Sequence, residues 1–247
     1  MIAKTPLPND LLAKLSGEGV PHSDPLILYG SCARGDATPS SDIDVLRVAS
    51  CRERSREISG QISLHTYTEN DLADAARRGS LFVLHIVSEG IPLRDNGILQ
   101  RLTDSFTRPR SYLDREHRNL TGITELCNVD TDLFASSPRA FLDAATFATR
   151  TLLYADYADR GTPTFSLKTL ARTDTRAKLA QRAKQQGSNH VDYAQLCNAI
   201  GTVLGQPRNQ PATSFKTLAQ RIPPKTLCWG LLQRIIRRSA HSPYIDP

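Results

Sequence analysis

Leu26-Ile27-Leu28-Tyr29-Gly30-Ser31-Cys32-Ala33-Arg34-Gly35-Asp36-Ala37-Thr38-Pro39-Ser40-Ser41-Asp42-Ile43-Asp44-Val45-Leu46-Arg47-Val48 is the stretch that decides the fold. It reads as an apolar strand, a Gly-Ser turn, a short loop broken by Gly and Pro, and a second strand that opens with two carboxylates. Successive side chains of a strand point to opposite faces, so Asp42 and Asp44 share one face and Ile43 turns into the packed side. Two like charges so close repel each other unless a cation lies between them.

That pair suits Mg²⁺ in nucleotide chemistry, because the ion is held by one or two carboxylates and completes its octahedron with water and substrate phosphates. The glycine upstream has a matching use. Gly30 at a strand end lets the backbone come close to a phosphate, and Ser31 with the following amides can donate hydrogen bonds to phosphate oxygens.

These residues resemble the DNA polymerase β-like nucleotidyltransferase superfamily, and within it the minimal nucleotidyltransferase branch. The branch pattern is Gly-Ser-x-Ala-Arg-Gly, a short loop, then Ser-Asp-Ile-Asp. It is filled here by Gly30, Ser31, Ala33, Arg34, Gly35, Ser41, Asp42, Ile43 and Asp44. An ordinary turn would explain only one end of this string. The resemblance implies transfer of a nucleoside monophosphate from an NTP to an acceptor hydroxyl with loss of pyrophosphate. It implies Gly30, Ser31, Arg34 and Ser41 as nucleotide-binding residues and Asp42 and Asp44 as catalytic ligands of Mg²⁺. For Arg34, a packing and salt-bridge part is the alternative.

Downstream, Gln61-Ile62-Ser63-Leu64-His65-Thr66-Tyr67 alternates as a strand does, and Thr68-Glu69-Asn70-Asp71 has the form of a capping box. Helices are predicted to Arg77-Arg78 and from Ser80 to Glu89, and Ile91-Pro92-Leu93 reads as a short return strand. The resemblance therefore spans about residues 10–95, beginning with a predicted helix over residues 9–16 capped by Asn9. It departs from the superfamily at one point. The third metal carboxylate of the superfamily belongs on this later strand, and the matching position holds Ser63. His65 shares a face with Ser63 and Tyr67 and is the candidate proton acceptor, against the alternative of a structural strand histidine. The charged segment 51–57 reads as a solvated helix or loop.

From residue 101 the pattern becomes helix after helix. Ser137-Pro138 opens a long core helix with Phe141, Ala145, Ala148 and Leu152 on one stripe, and further helices are predicted over residues 191–204 and 214–238, the last broken by Pro223-Pro224. The predicted architecture is α+β: a small mixed-sheet nucleotidyltransferase domain over residues 1–100, then an all-α helical-bundle domain over residues 101–247.

The net charge of +6 is unevenly spread, at −3 over residues 1–100 and +9 over residues 101–247. The basic residues are densest at Lys168, Arg172, Arg176, Lys178 and Arg182, the first three at helical four-residue spacing, which points to a polyanion-binding face such as one for RNA. A solvated charged face is the plainer alternative. Apolar content of 39% fits a folded chain. No window approaches the roughly 20 apolar residues of a membrane span, and Met1-Ile2-Ala3-Lys4-Thr5-Pro6 has no apolar core of a signal peptide. Five scattered cysteines without metal-binding spacing fit reduced thiols, so a cytoplasmic protein is expected.

Three readings follow. The first is an Mg²⁺-dependent transferase with RNA or protein as acceptor. The second is a catalytically impaired relative that binds nucleotide, RNA or a partner, and the third is an antibiotic nucleotidyltransferase. The oligomeric state is left open.

Overall fold

The computed structural model describes residues 8–39, 41–51, 56–58, 60–185 and 189–239. The chain divides into two compact units, Met1–Arg110 and Ser111–Pro247. In the first, the order is α1 (Pro8–Gly17), β1 (Leu26–Tyr29), α2 (Gly30–Arg34), β2 (Ile43–Ala49), β3 (Arg56–Ile58), β4 (Ile62–Thr68), α3 (Glu69–Arg77), α4 (Leu81–Glu89), β5 (Ile91–Arg94) and α5 (Ile98–Ser105). The strands form one mixed sheet in the order β3-β4-β2-β1-β5, with β2 and β4 parallel and the other neighbours antiparallel.

Strand alternation sorts the side chains into two cores. Leu26, Leu28, Val45, Ile62 and Leu64 pack on one face with Leu11 and Leu15 of α1. Ile27, Tyr29, Leu46 and Val48 pack on the other with Leu72 of α3, Ile86 of α4, and Ile98 and Leu102 of α5. Each fully buried Leu or Ile of these sets contributes about 1.5–3 kcal/mol. The burial of Ile98 and Leu102 is what ties α5 to the sheet and carries the first unit past residue 100.

Thr68 caps α3 by accepting the Asp71 amide at 3.1 Å, the N-cap half of the expected capping box, and its hydroxyl donates to Asp71 Oδ2 at 2.9 Å. Two segments differ from the sequence reading. The expected Gly-Ser turn is the single-turn helix α2, closed by Gly35 in the left-handed conformation. The expected solvated helix or loop ends in a strand, β3, because the backbone of 56–58 finds hydrogen-bonding partners along β4. Residues 52–55 of that segment, the Asn9 side chain and the first six residues lie outside the described residues.

The second unit contains α6 (Tyr112–Asn119), α7 (Ile123–Leu126), α8 (Thr131–Ser136), α9 (Pro138–Asp159), α10 (Leu167–Leu170), α11 (Thr175–Gln185), α12 (His190–Leu204), α13 (Phe215–Arg221) and α14 (Leu227–Ser239). Phe141, Ala145, Ala148 and Leu152 of α9 are buried at the centre of its core. Asp159 at the end of α9 accepts the Tyr112 and Leu113 amides at 2.7 and 3.0 Å, so one helix end satisfies the exposed amides of another. Pro223-Pro224 separates α13 from α14. No described helix is long and apolar enough to cross a membrane.

The basic segment is corrected here. Lys168, Arg172 and Arg176 do not share one helical face, because the helix stops at Leu170 and restarts at Thr175. Asp174 causes the restart: its carboxylate accepts the Arg176 amide at 2.8 Å.

Candidate active site

The site forms where β1 runs into α2. Gly30 has φ +73, and a Cβ placed there would lie 2.6 Å from Asp44 Oδ2. Glycine is required twice over, by the backbone and by the carboxylate resting against it. Asp44, the second residue of β2, is paired in register with Tyr29 of β1 and Ser63 of β4. Asp42 is exposed and directly precedes β2. Asp44, Asp36 and Asp42 all raise the Cys32 thiol pKa, although burial is the largest cause. The acids of the loop therefore converge on the start of α2.

The other motif residues have local duties. The Asp36 amide donates to the Ser31 carbonyl at 3.1 Å. The Ser41 hydroxyl accepts the Thr38 amide at 2.9 Å, closing the loop that delivers Asp42. Arg34 donates from Nη1 to Glu89 Oε2 at 2.7 Å and pairs through Nε with Asp36 at 3.3 Å. His85 Nε2 lies 3.0 Å from the same Glu89 oxygen. Burial would raise the Glu89 pKa, but the His85 and Arg34 contacts outweigh it and hold the carboxyl below its usual value. In this geometry Arg34 occupies its salt-bridge alternative.

On the Asp44 face of the sheet, Ser63 Oγ and His65 Nε2 are 2.9 Å apart. Burial lowers the His65 pKa, with Asp44 opposing it, so the imidazole is neutral near physiological pH. The Tyr29 ring meets His65, Phe82 and His85 edge-on, at centroid distances of 6.1, 5.8 and 5.5 Å. Burial first, then Asp44, raises the Tyr29 phenol pKa, so it stays protonated.

The structure thus brings Gly30, Asp44, Ser63 and His65 together, with Ser31 and Asp42 at the rim. It leaves Arg34 bonded to α4. The sequence reading missed Tyr29, His85 and Glu89. A signal existed for the last two, a His and a Glu four residues apart in Leu81–Glu89, whose other residues are apolar apart from Ser88.

Among the described residues no group of three or more His, Cys, Asp or Glu side chains could by itself hold a metal ion. Two hard carboxylates are the kind of donor set Mg²⁺ takes, with its remaining oxygens from phosphates and water, and the Asp44 carboxylate rests where a Cβ at position 30 would fall.

In the helical unit, Arg176 pairs with Asp174 and Asp156 at 2.8 and 2.7 Å, and Arg182 pairs with the buried Asp192. Lys168, Arg172 and Lys178 are exposed.

The nucleotidyltransferase domain family matches residues 18–75, from just before β1 into α3. The matched span contains Gly30, Ser31, Asp42, Asp44, Ser63 and His65, and the match is to the domain as a whole, not to its minimal branch. No curated protein matches the chain.

Proposed function

From a chain whose residues 18–75 carry a nucleotidyltransferase domain, we propose an Mg²⁺-dependent enzyme that transfers a nucleoside monophosphate from an NTP to an acceptor hydroxyl, with release of pyrophosphate. The observation that carries this is the packing of the Asp44 carboxylate on Gly30, with Asp42 at the mouth of the same loop. Asp42 and Asp44 would hold the ion. Bound there, Mg²⁺ supplies charge neutralisation for the reacting phosphates.

The chain's own groups do the rest. Gly30 and Ser31 leave the backbone open to the β- and γ-phosphates at the head of α2. His65, neutral because it is buried, accepts the proton of the acceptor hydroxyl. The Glu89 carboxylate holds Arg34 and thereby braces α2 on α4. The acceptor is an anion, with RNA favoured, on the strength of the +9 balance over residues 101–247 and the exposed Lys168, Arg172 and Lys178.

One observation favours a second reading, a domain that binds nucleotide without turning it over: the residue in register with Asp44 is Ser63, not an acid. Calorimetry of NTP binding with and without Mg²⁺, combined with pyrophosphate release in the presence of cellular RNA, separates the two. The double variant Asp42→Asn, Asp44→Asn should lose Mg²⁺-dependent NTP binding while its circular dichroism stays unchanged. Unaltered NTP affinity in that variant refutes both the site and the transferase. NTP binding by the wild type without pyrophosphate release selects the binder.

A further inference from the structure

Ser63 stands where neither core needs it. Its neighbours Ile62 and Leu64 turn into the core under α1, which leaves the Ser63 hydroxyl half-buried on the opposite face of β4. That is the face of Asp44, and the two residues are register partners on adjacent parallel strands, whose backbones lie about 4.8 Å apart. The hydroxyl is within 2.9 Å of His65 Nε2. With the imidazole proton on Nδ1, the hydroxyl donates to Nε2. A serine hydroxyl donating to a neutral imidazole is the arrangement of an activated nucleophile and its base. His65 is held by the edge of the Tyr29 ring and by its place in the middle of β4.

We propose that Ser63 is itself a nucleotidylation site: the chain transfers a nucleoside monophosphate from the NTP bound at Asp42 and Asp44 onto its own Ser63. The proposal rests on the nucleotidyltransferase reading and extends it to a covalent product. Ser63 Oγ attacks the α-phosphorus of the NTP, and the Oγ proton passes to His65 Nε2. The bond from the α-phosphorus to the bridging oxygen breaks, and pyrophosphate leaves with both bond electrons. The product is a phosphodiester between Ser63 and the nucleoside. No oxidant, reductant or further reactant is involved.

The geometry favours this residue over the other hydroxyls of the loop. Ser41 Oγ is used in closing the Thr38–Ser41 turn. The Ser31 hydroxyl acts on the neighbouring Cys32 thiol, lowering its pKa, and a thiol cannot take a proton as an imidazole does. Of these hydroxyls Ser63 combines a position beside Asp44 with a hydrogen-bonded base.

The full chain, incubated with Mg²⁺ and ATP, GTP, CTP or UTP in turn, should gain the mass of one nucleoside monophosphate less one water with at least one of the four, and peptide mapping should place the adduct on Ser63. Ser63→Ala should carry no adduct while its circular dichroism spectrum matches that of the wild type. His65→Gln should acquire the adduct about 100-fold more slowly, the usual worth of a general base. Ser63→Asp should carry no adduct either.

An adduct mapped to Ser31, Ser41 or any other residue overturns the proposal. So does NTP binding and pyrophosphate release with an added acceptor but no change in the mass of the chain, a result that leaves the transferase reading standing. Absence of NTP binding overturns both.

Discussion

Replacing Gly30 or Gly35 with alanine imposes nearly the same backbone strain, with φ of +73 and +74, yet meets different surroundings. At either position the left-handed conformation costs an L-residue about 1–2 kcal/mol, and at Gly35 that is the whole cost, since nothing lies within 4 Å of the added methyl. At Gly30 the methyl would fall 2.6 Å from Asp44 Oδ2 and 3.5 Å from its Cγ, so the carboxylate must turn away from the head of α2. Gly30→Ala should therefore lose at least as much stability as Gly35→Ala, with the melting midpoint falling by about 2–4 °C for each kcal/mol in a chain of this size. They should differ in function. Gly30→Ala should weaken Mg²⁺-dependent NTP binding at least tenfold, about 1.4 kcal/mol, whereas Gly35→Ala should bind as the wild type does. Isothermal calorimetry with and without Mg²⁺, paired with thermal unfolding, reads both quantities. Equal NTP affinity in the two variants would show that the Asp44 carboxylate does not serve the nucleotide from its place on Gly30.

Glu89→Gln should cost about 1 kcal/mol near neutral pH by removing a partly buried charge pair. The Glu89 carboxyl is held below its ordinary 4.5, so its contribution is present above that pH and lost as the pH falls. Urea unfolding curves of variant and wild type should consequently converge in acid, and a gap that stays constant down to about pH 3 speaks against the pairing. Asp24→Asn should lower the unfolding free energy measured by urea more than any other single change named here, by about 3 kcal/mol, because it removes the carboxylate 2.7 Å from the buried Arg47 guanidinium; a loss under about 1 kcal/mol would show the pair to be replaceable. In RNA-binding titrations, Lys168→Gln, Arg172→Gln and Lys178→Gln should each reduce the salt slope by about 0.7–0.9 for every phosphate the native side chain neutralises. Arg176→Gln and Arg182→Gln should instead lower the melting temperature, and the reverse pattern would reassign the basic face.

Local chemistry made much of the first unit legible. The alternation in Ile62–Thr68, the Thr68 cap and the Gly30 and Asp44 spacing are short-range signals, and the structure realises each within a few residues of where it is written. Contacts that depend on distant partners were not legible. Arg34 and Glu89 are 55 positions apart, and nothing near Arg34 in the chain shows that an acid waits on α4. The parallel pairing of β2 with β4, which makes Ser63 the neighbour of Asp44, was pointed to by the resemblance and not by the local pattern, since the three residues of the intervening β3 looked like a charged surface segment. The basic stripe failed for a different reason. Four-residue spacing is helical only if the helix continues, and Asp174 ends one hydrogen-bonding run and starts another.

The place of β2 in the sheet bears on which parts of the site can move. It is paired on both sides, by β1 and β4, and Val45 and Leu46 are fully buried. Amides in such a strand exchange with solvent only when the whole unit opens, whereas those of an exposed loop exchange through small local fluctuations. Asp44 thus sits near the slowest-opening end of the scale. Its carboxylate is therefore a fixed reference in the sheet, and a bound nucleotide would meet it without rearrangement of the folded core.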